Sequence, residues 1–456
     1  MYTLSVGDKI KLDIRKQGIN GEGIGYFNKL AIFVPGAILK EKVDCEILEV
    51  KQTYAIARLD GIERVSTRRV TPPCKFYDRC GGCQLQHIDQ NEQMKIKQSI
   101  LKQSLIRYTD IHPIDPLLKR TLGMKSQYGY RNKSQMPFAN LNFGLSLGLY
   151  EPQSNKFVFV DECLVQHPFV NKVNAKALSL CRKYKMAAAD QTNPNGNLLV
   201  LVTRYLENTD QCSVTFIVTK YDERLQSIAK ELKETYPPIQ SIGYSVSKHH
   251  HRSVFGKEVV TLVGDDVIYD EVDGLKIRIS PDAFHQLNSK QMDILYKEVV
   301  KAANLQGNEV VIDGYSGIGV TTLMLAKKAK KVYGIDYSEP SIQDAIANAK
   351  MNGIRNVEML ADHVEGAIPR LLKMGVKPDV IVVDPPRAGL EDNLLQEILK
   401  AAPKRIVYVS CNPSTLAKNL AVLLPQYEVK SIQPIDMFPL TSSVESVTLL
   451  TLRVGV

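Results

Sequence analysis

The residue with the clearest chemical potential is Cys411, at the end of the apolar run Val407-Tyr408-Val409-Ser410 and just before Asn412-Pro413. Proline restricts the residue before it and cannot donate to a β-ladder, so the run reads as a short buried strand that stops on a thiol. A lone cysteine ordinarily packs as a small hydrophobe. Its neighbours argue for more. Val380-Ile381-Val382-Val383 ends on Asp384, then Pro385-Pro386-Arg387. Val310-Val311-Ile312-Asp313 ends in the glycine turn Gly314-Tyr315-Ser316-Gly317-Ile318-Gly319. Three strands therefore deliver a thiol, a carboxylate and a backbone cradle to one edge of one sheet, the edge where open α/β sheets bind ligands.

The glycine turn lies between a strand and a helix, where backbone must approach a ligand closely. A dinucleotide site asks for a third glycine three residues after Gly319, and Thr322 stands there instead. Asp336 ends the next strand, where a carboxylate can accept both hydroxyls of a ribose. Turn, ribose acid and polar strand end together favour S-adenosylmethionine, which carries no pyrophosphate, over NAD. Asp362 ends a third strand and reads equally as an acceptor for an adenine amine or as a helix N-cap.

A second group of residues is Cys74, Cys80 and Cys83, with Cys163 distant in sequence. Four thiolates suit either zinc or an iron–sulfur cluster, and spacing alone favours zinc. Cys45, Cys181 and Cys212 sit in apolar surroundings and read as packing residues. Tyr128-Gly129-Tyr130-Arg131-Asn132-Lys133 mixes aromatics with cations, as single-stranded RNA platforms do, and reads equally as a strand. Lys248-His249-His250-His251-Arg252 reads as a solvated loop.

The elements that must position these groups fall into three stretches. At 456 residues the chain exceeds one ordinary core. Residues 1–59 alternate short strands (9–14, 23–27, 31–34, 43–50, 54–59) with glycine turns, the pattern of a small oligonucleotide-binding β-barrel. Residues 60–279 open on a basic connector, Arg64 to Arg69, followed by the cysteines, a helix near 91–107 and an α+β domain. From residue 280 to 456, strand–helix alternation predicts a doubly wound parallel sheet, and two strands, 427–434 and 444–453, close it. The fold class expected is multidomain α/β. The net charge of +9 is compatible with a polyanionic partner. No apolar run approaches the ~18 residues that span a bilayer. No signal peptide opens the chain, so a cytoplasmic location is expected; a monomer is expected as well.

With these residues in view, the chain resembles the RNA uracil-5 methyltransferases, which make 5-methyluridine. The matching segments are Asp384-Pro385-Pro386-Arg387-Ala388-Gly389, Ser410-Cys411-Asn412-Pro413, Met437 to Glu445, and Ser280 to Asn288. The resemblance covers the full chain. It implies a TRAM domain at residues 1–59, a Rossmann-like methyltransferase domain at 280–456, and S-adenosylmethionine held by Gln286, Tyr315, Asp336 and Asp384. It further implies Cys411 as nucleophile, Glu445 as base, and a [4Fe–4S] cluster on Cys74, Cys80, Cys83 and Cys163, reversing the preference for zinc. His363 follows Asp362 where some relatives carry a different polar residue. The barrel and the four cysteines resemble the 23S ribosomal RNA members more than the transfer RNA members. The alternatives are transfer RNA methylation and a non-catalytic RNA-binding or remodelling protein, which would need neither Cys411 nor Glu445.

Overall fold

A computed structural model describes the chain except residues 1–3, 153, 155, 191–192, 248–253, 454 and 456. The basic loop 248–252 therefore lies outside the described residues.

The N-terminal strands form one six-stranded sheet in the order 9–13, 42–50, 54–64, 30–34, 23–27, 16–17. It curls closed where Arg15 N donates to Ile24 O at 2.8 Å. Apolar side chains alternate inward along these strands, with Ile32, Val34, Val43 and Ile47 fully buried, as a small barrel with one filled interior requires. The two-residue strand Lys16–Gln17 carries too little pattern to read from sequence.

The middle of the chain builds a seven-stranded sheet, ordered 260–264, 239–246, 211–218, 198–206, 133–141, 144–150, 157–159. Helices Pro168–Lys183 and Arg224–Thr235 supply the partners of its core, through Val173, Ala177, Ile228 and Leu232. Helix Gln90–Tyr108 packs elsewhere: Leu101 and Leu105, with Ile111, Ile114 and Leu118 after it, join the core of the C-terminal sheet. Backbone bridges from Leu118 to Ile432 and from Leu122 to Ile435 extend that attachment.

The C-terminal sheet comprises β1 (Val310–Gly314), β2 (Lys331–Asp336), β3 (Val357–Ala361), β4 (Val380–Val383), β5 (Arg405–Ser410), β6 (Tyr427–Ile435) and β7 (Glu445–Leu452). Its order is β3-β2-β1-β4-β5-β7-β6. The first five strands are parallel, and β7 inserts antiparallel between β5 and β6. Strands β4 and β5 are buried along nearly their whole length, which explains their unbroken apolar runs. Helices Val364–Lys373 and Pro413–Leu423 join those expected from the strand–helix alternation. Among the described residues no helix is long and apolar enough to cross a membrane.

Candidate active site

The site is built from strand ends. Antiparallel register pairs Ser410 of β5 with Ser446 of β7, so Cys411 and Glu445, one residue further on each strand, come opposite one another. Parallel register pairs Val383 with Tyr408, which sets Asp384 at the same edge. Three groups separated by up to 61 positions in sequence thus converge through register alone.

The thiol's loop is held on both sides. Ser410 Oγ donates to Asn412 O (3.0 Å) and accepts from Asn412 N (3.1 Å). Asn412 caps helix Pro413–Leu423, its side chain accepting from Ser414 N, and its Nδ2 donates to Arg387 O at 3.0 Å. Gly389 closes the Asp384 loop at φ 82°, where a Cβ would stand 2.7 Å from Asn419 Oδ1. That oxygen is already committed to Leu390 N and Tyr408 OH, both at 2.8 Å.

Electrostatics at this edge are dominated by burial and by negative neighbours. Burial, with Glu445 and Asp384 adding to it, pushes the Cys411 thiol up to about 11, while Arg387 opposes. Burial and Asp384 push Glu445 up to about 8, against the pull of Arg387 and Lys97. Burial raises Asp384 to about 6. Cys411 remains half-buried and Arg387 exposed, so the thiol is reachable and a cation acts on it.

A cleft next to this edge is lined by Gln286, Asp313, Tyr315, Gly317 and Asp384. Gln286 arrives on the loop before helix Ser289–Ala303, fastened by Asn132, whose Nδ2 donates to Gln286 O (3.0 Å) and whose N–H donates to Leu287 O (2.9 Å). Tyr315 adopts φ 65° and its hydroxyl donates to Glu365 at 2.5 Å. Asp336 is not on that lining. At the end of β2 it accepts from Gly317 N (2.9 Å) and Ser338 N (2.8 Å), so it shapes the glycine turn. Each of its oxygens keeps a second lone pair for a ligand. Thr322, in the place of a third glycine, donates to buried Asp313 at 2.6 Å. Asp362 is engaged by Arg370 (2.6 Å) and His363 N (2.8 Å), and His363 stands at the N-cap position of the following helix without a side-chain capping bond.

Tyr130 lies inside rather than on a surface platform: it is buried, and its hydroxyl donates to Pro439 O at 3.1 Å. Sequence reasoning missed this, and it missed Lys97 and Asp436, a fully buried ion pair beside the loop that leads to Glu445.

Cys74, Cys80, Cys83 and Cys163 line one cavity of about 220 Å³. All are free thiols. Burial raises Cys80 and Cys163 and pushes Cys83 up to about 12. N–H groups stand ready to stabilise thiolates: Gly82 N donates to Cys80 Sγ at 3.4 Å, and Val165 and Gln166 N–H groups face Cys163. Among the described residues no three His, Cys, Asp or Glu side chains form a ready ligand set for a metal ion. Cys45, Cys181 and Cys212 are buried elsewhere.

The family profile described as tRNA (Uracil-5-)-methyltransferase matches residues 126–453, and the TRAM domain profile matches residues 4–59. An uncharacterised RNA methyltransferase of Listeria innocua is 39% identical over 98% of each chain. The chain belongs to the uracil-5 methyltransferase family. It is an S-adenosylmethionine-dependent RNA methyltransferase with an N-terminal TRAM domain. A second relative, an uncharacterised RNA methyltransferase of Halalkalibacterium halodurans, is 40% identical over 98% of this chain and 97% of its own. Among solved structures, the Pyrococcus abyssi tRNA (uracil-54, C5)-methyltransferase in complex with S-adenosyl-L-homocysteine superimposes with a TM-score of 0.76 at 25% identity. The match covers 97% of this chain and 100% of that one.

Proposed function

We propose that the protein methylates C5 of a uridine in 23S ribosomal RNA through a covalent bond between Cys411 and C6. The observation that carries this reading is the register that sets Cys411 against Glu445 at the sheet edge beside Asp384. C5 of uracil is a poor nucleophile. Addition of the Cys411 thiolate to C6 breaks the C5–C6 double bond and leaves an enolate with carbanion character at C5, dividing one hard step into easier ones. Arg387 and the N-terminus of helix Pro413–Leu423 are the groups of this chain that favour the thiolate. S-adenosylmethionine, when bound, supplies an electrophilic methyl group. After C5 has taken that methyl group it still carries its proton. Glu445 removes the proton, the electron pair re-forms the C5–C6 double bond, and Cys411 leaves as thiolate. A carboxylate raised to about 8 is matched to proton abstraction near neutral pH.

Gln286, Tyr315, Asp336 and Asp384 are assigned to the cofactor, and Asp336 would accept from its ribose hydroxyls with the lone pairs that Gly317 N and Ser338 N leave free. The target base must leave its stack to reach Cys411. The four-cysteine cavity is assigned to a [4Fe–4S] cluster by the family resemblance and by four thiols sharing one volume, which would have to draw together on loading because no three of them stand as a ready ligand set. Protein purified without oxygen should then carry iron and sulfide. Zinc at one per chain with no iron would overturn that assignment alone.

Transfer RNA is the second reading, favoured by one observation: the Pyrococcus abyssi transfer RNA enzyme is matched over its whole length. The test compares nucleosides in ribosomal and transfer RNA from cells with and without the protein. Loss of 5-methyluridine from 23S RNA supports the first reading. Loss from transfer RNA only supports the second, and no loss from either refutes both.

A further inference from the structure

Lys97 lies on helix Gln90–Tyr108 with none of its surface exposed. Its ammonium donates to Asp436 Oδ1 and, at 3.0 Å, to the Phe438 carbonyl. One turn earlier on the same helix face, Gln93 Oε1 accepts from Leu440 N at 3.2 Å. A pair spaced i, i+4 thus grips both ends of the segment 436–440. That segment leads directly into Glu445. Behind it Ile435 pairs with Glu445 in the sheet register, so Asp436 is the next residue beyond the base's own partner.

The ion pair is incompletely satisfied. Asp436 Oδ2 is buried and, among the described residues, has no hydrogen-bond partner. A buried salt bridge is a poor device for stability, since apolar residues of similar volume generally serve as well or better. Its placement asks for another reason, and the nearest one is charge. The charged or titratable groups that act on Glu445 are Asp384 and Arg387 from the loop after β4, and Lys97 from the helix. Cys411 faces it from β5, and feels its charge in turn. Of the two cations, Arg387 is exposed and screened by solvent, whereas Lys97 is not.

We propose that Lys97 is a positioning residue for the last step of methyl transfer: it fixes the segment that delivers Glu445 and supplies the buried positive charge that Glu445 faces. The proposal rests on the reading of Glu445 as the base that resolves the Cys411–RNA adduct.

Both partners of the pair act in the same direction. Removing the cation in Lys97→Met makes Glu445 harder to ionise. The pH midpoint for adduct resolution then moves up, and adduct accumulates at pH 7. Asp436→Asn removes the anion that keeps Lys97 charged against burial, so Lys97 shifts toward its neutral form and the midpoint moves up here too. The experiment is a rapid-quench single turnover of RNA from cells lacking the protein, followed on denaturing gels across pH 6 to 9 for wild type and both variants, with cofactor affinity measured alongside. Upward shifts in both variants support the proposal. A merely structural role would slow both variants without moving either midpoint, and unchanged or lowered midpoints overturn the proposal. If Lys97→Met fails to fold, Asp436→Asn decides: an upward shift supports the proposal and an unmoved or lowered midpoint overturns it. Glu445→Gln in the same series keeps the two ideas apart. If Glu445→Gln turns over normally, the base assignment itself fails. If it traps adduct while the Lys97 and Asp436 variants keep the wild-type midpoint, only the present inference fails.

Discussion

Glu445→Gln should separate bond formation from bond breaking. Glutamine keeps the shape of the side chain but cannot take the C5 proton, so elimination loses the ~10²–10⁴-fold that one general base contributes. The structure adds a second effect in the forward direction. Burial and, where it is ionised, Glu445 push the Cys411 thiol up; glutamine is neutral at every pH, so it leaves attack unchanged near pH 7 and favours it above ~8. Entry to the adduct is therefore no slower while exit is much slower, and the adduct accumulates. The pH dependence follows from the value of about 8 for Glu445. At pH 7 only ~10% of a group with that pKa is ionised, so wild-type resolution should rise ~10-fold by pH 9, whereas the variant's should not follow that curve. The assay is a denaturing gel of protein with labelled RNA. The slow band should require S-adenosylmethionine and be absent from the Cys411→Ala, Glu445→Gln double variant. Normal turnover with no trapped species would refute the reasoning and hand the proton to another group or to water.

Cys411→Ala should abolish methyl transfer while leaving S-adenosylmethionine affinity nearly intact by calorimetry; Asp336→Ala should weaken that affinity first, because it loses the ribose acceptor and loosens the turn it holds through Gly317. Arg387→Gln removes the cation that opposes burial at Cys411, so alkylation of that thiol by iodoacetamide, read by mass spectrometry, should slow at fixed pH. Asp313 is held near 7 by burial, so its proton stabilises the fold fully below ~4, and that contribution is lost as pH rises from ~4 to ~7, by about 4 kcal/mol at most. Asp313→Asn should thus raise the melting temperature of cofactor-free protein at pH 8 and change it little at pH 4. A pH-independent difference between the two melting curves would contradict this account.

The strand ends were legible because parallel strands buried on both faces write themselves as unbroken apolar runs, and Val380–Val383 and Val407–Val409 do so. The glycine turn and Asp336 follow from the same logic. Lys97 was not legible. A lysine four residues after a glutamine on a helix with an imperfect apolar face reads as solvated, and only tertiary structure brings Asp436 to it across 339 positions. Tyr130 stands in a segment that also fits an RNA platform; what buries it is tertiary, with its hydroxyl donating to the Pro439 carbonyl 309 positions away. Helix Gln90–Tyr108 showed the same limit, since its pattern reveals a buried face without saying which sheet buries it. Asp362 gave a carboxylate at a strand end, but its salt bridge to Arg370, eight residues on, required the helix to form.

The insertion of β7 between β5 and β6 has a consequence for when the protein becomes chemically competent. Translation produces the thiol well before the strand that brings its counterpart, and the slot beside β5 must stay open until that strand arrives. A nascent chain emerging among ribosomal RNAs thus carries Cys411 without Glu445. It also lacks the loop on which Lys97, Gln93 and Tyr130 close. Strand order thus leaves this sheet edge incomplete until segments distant in the chain have come together.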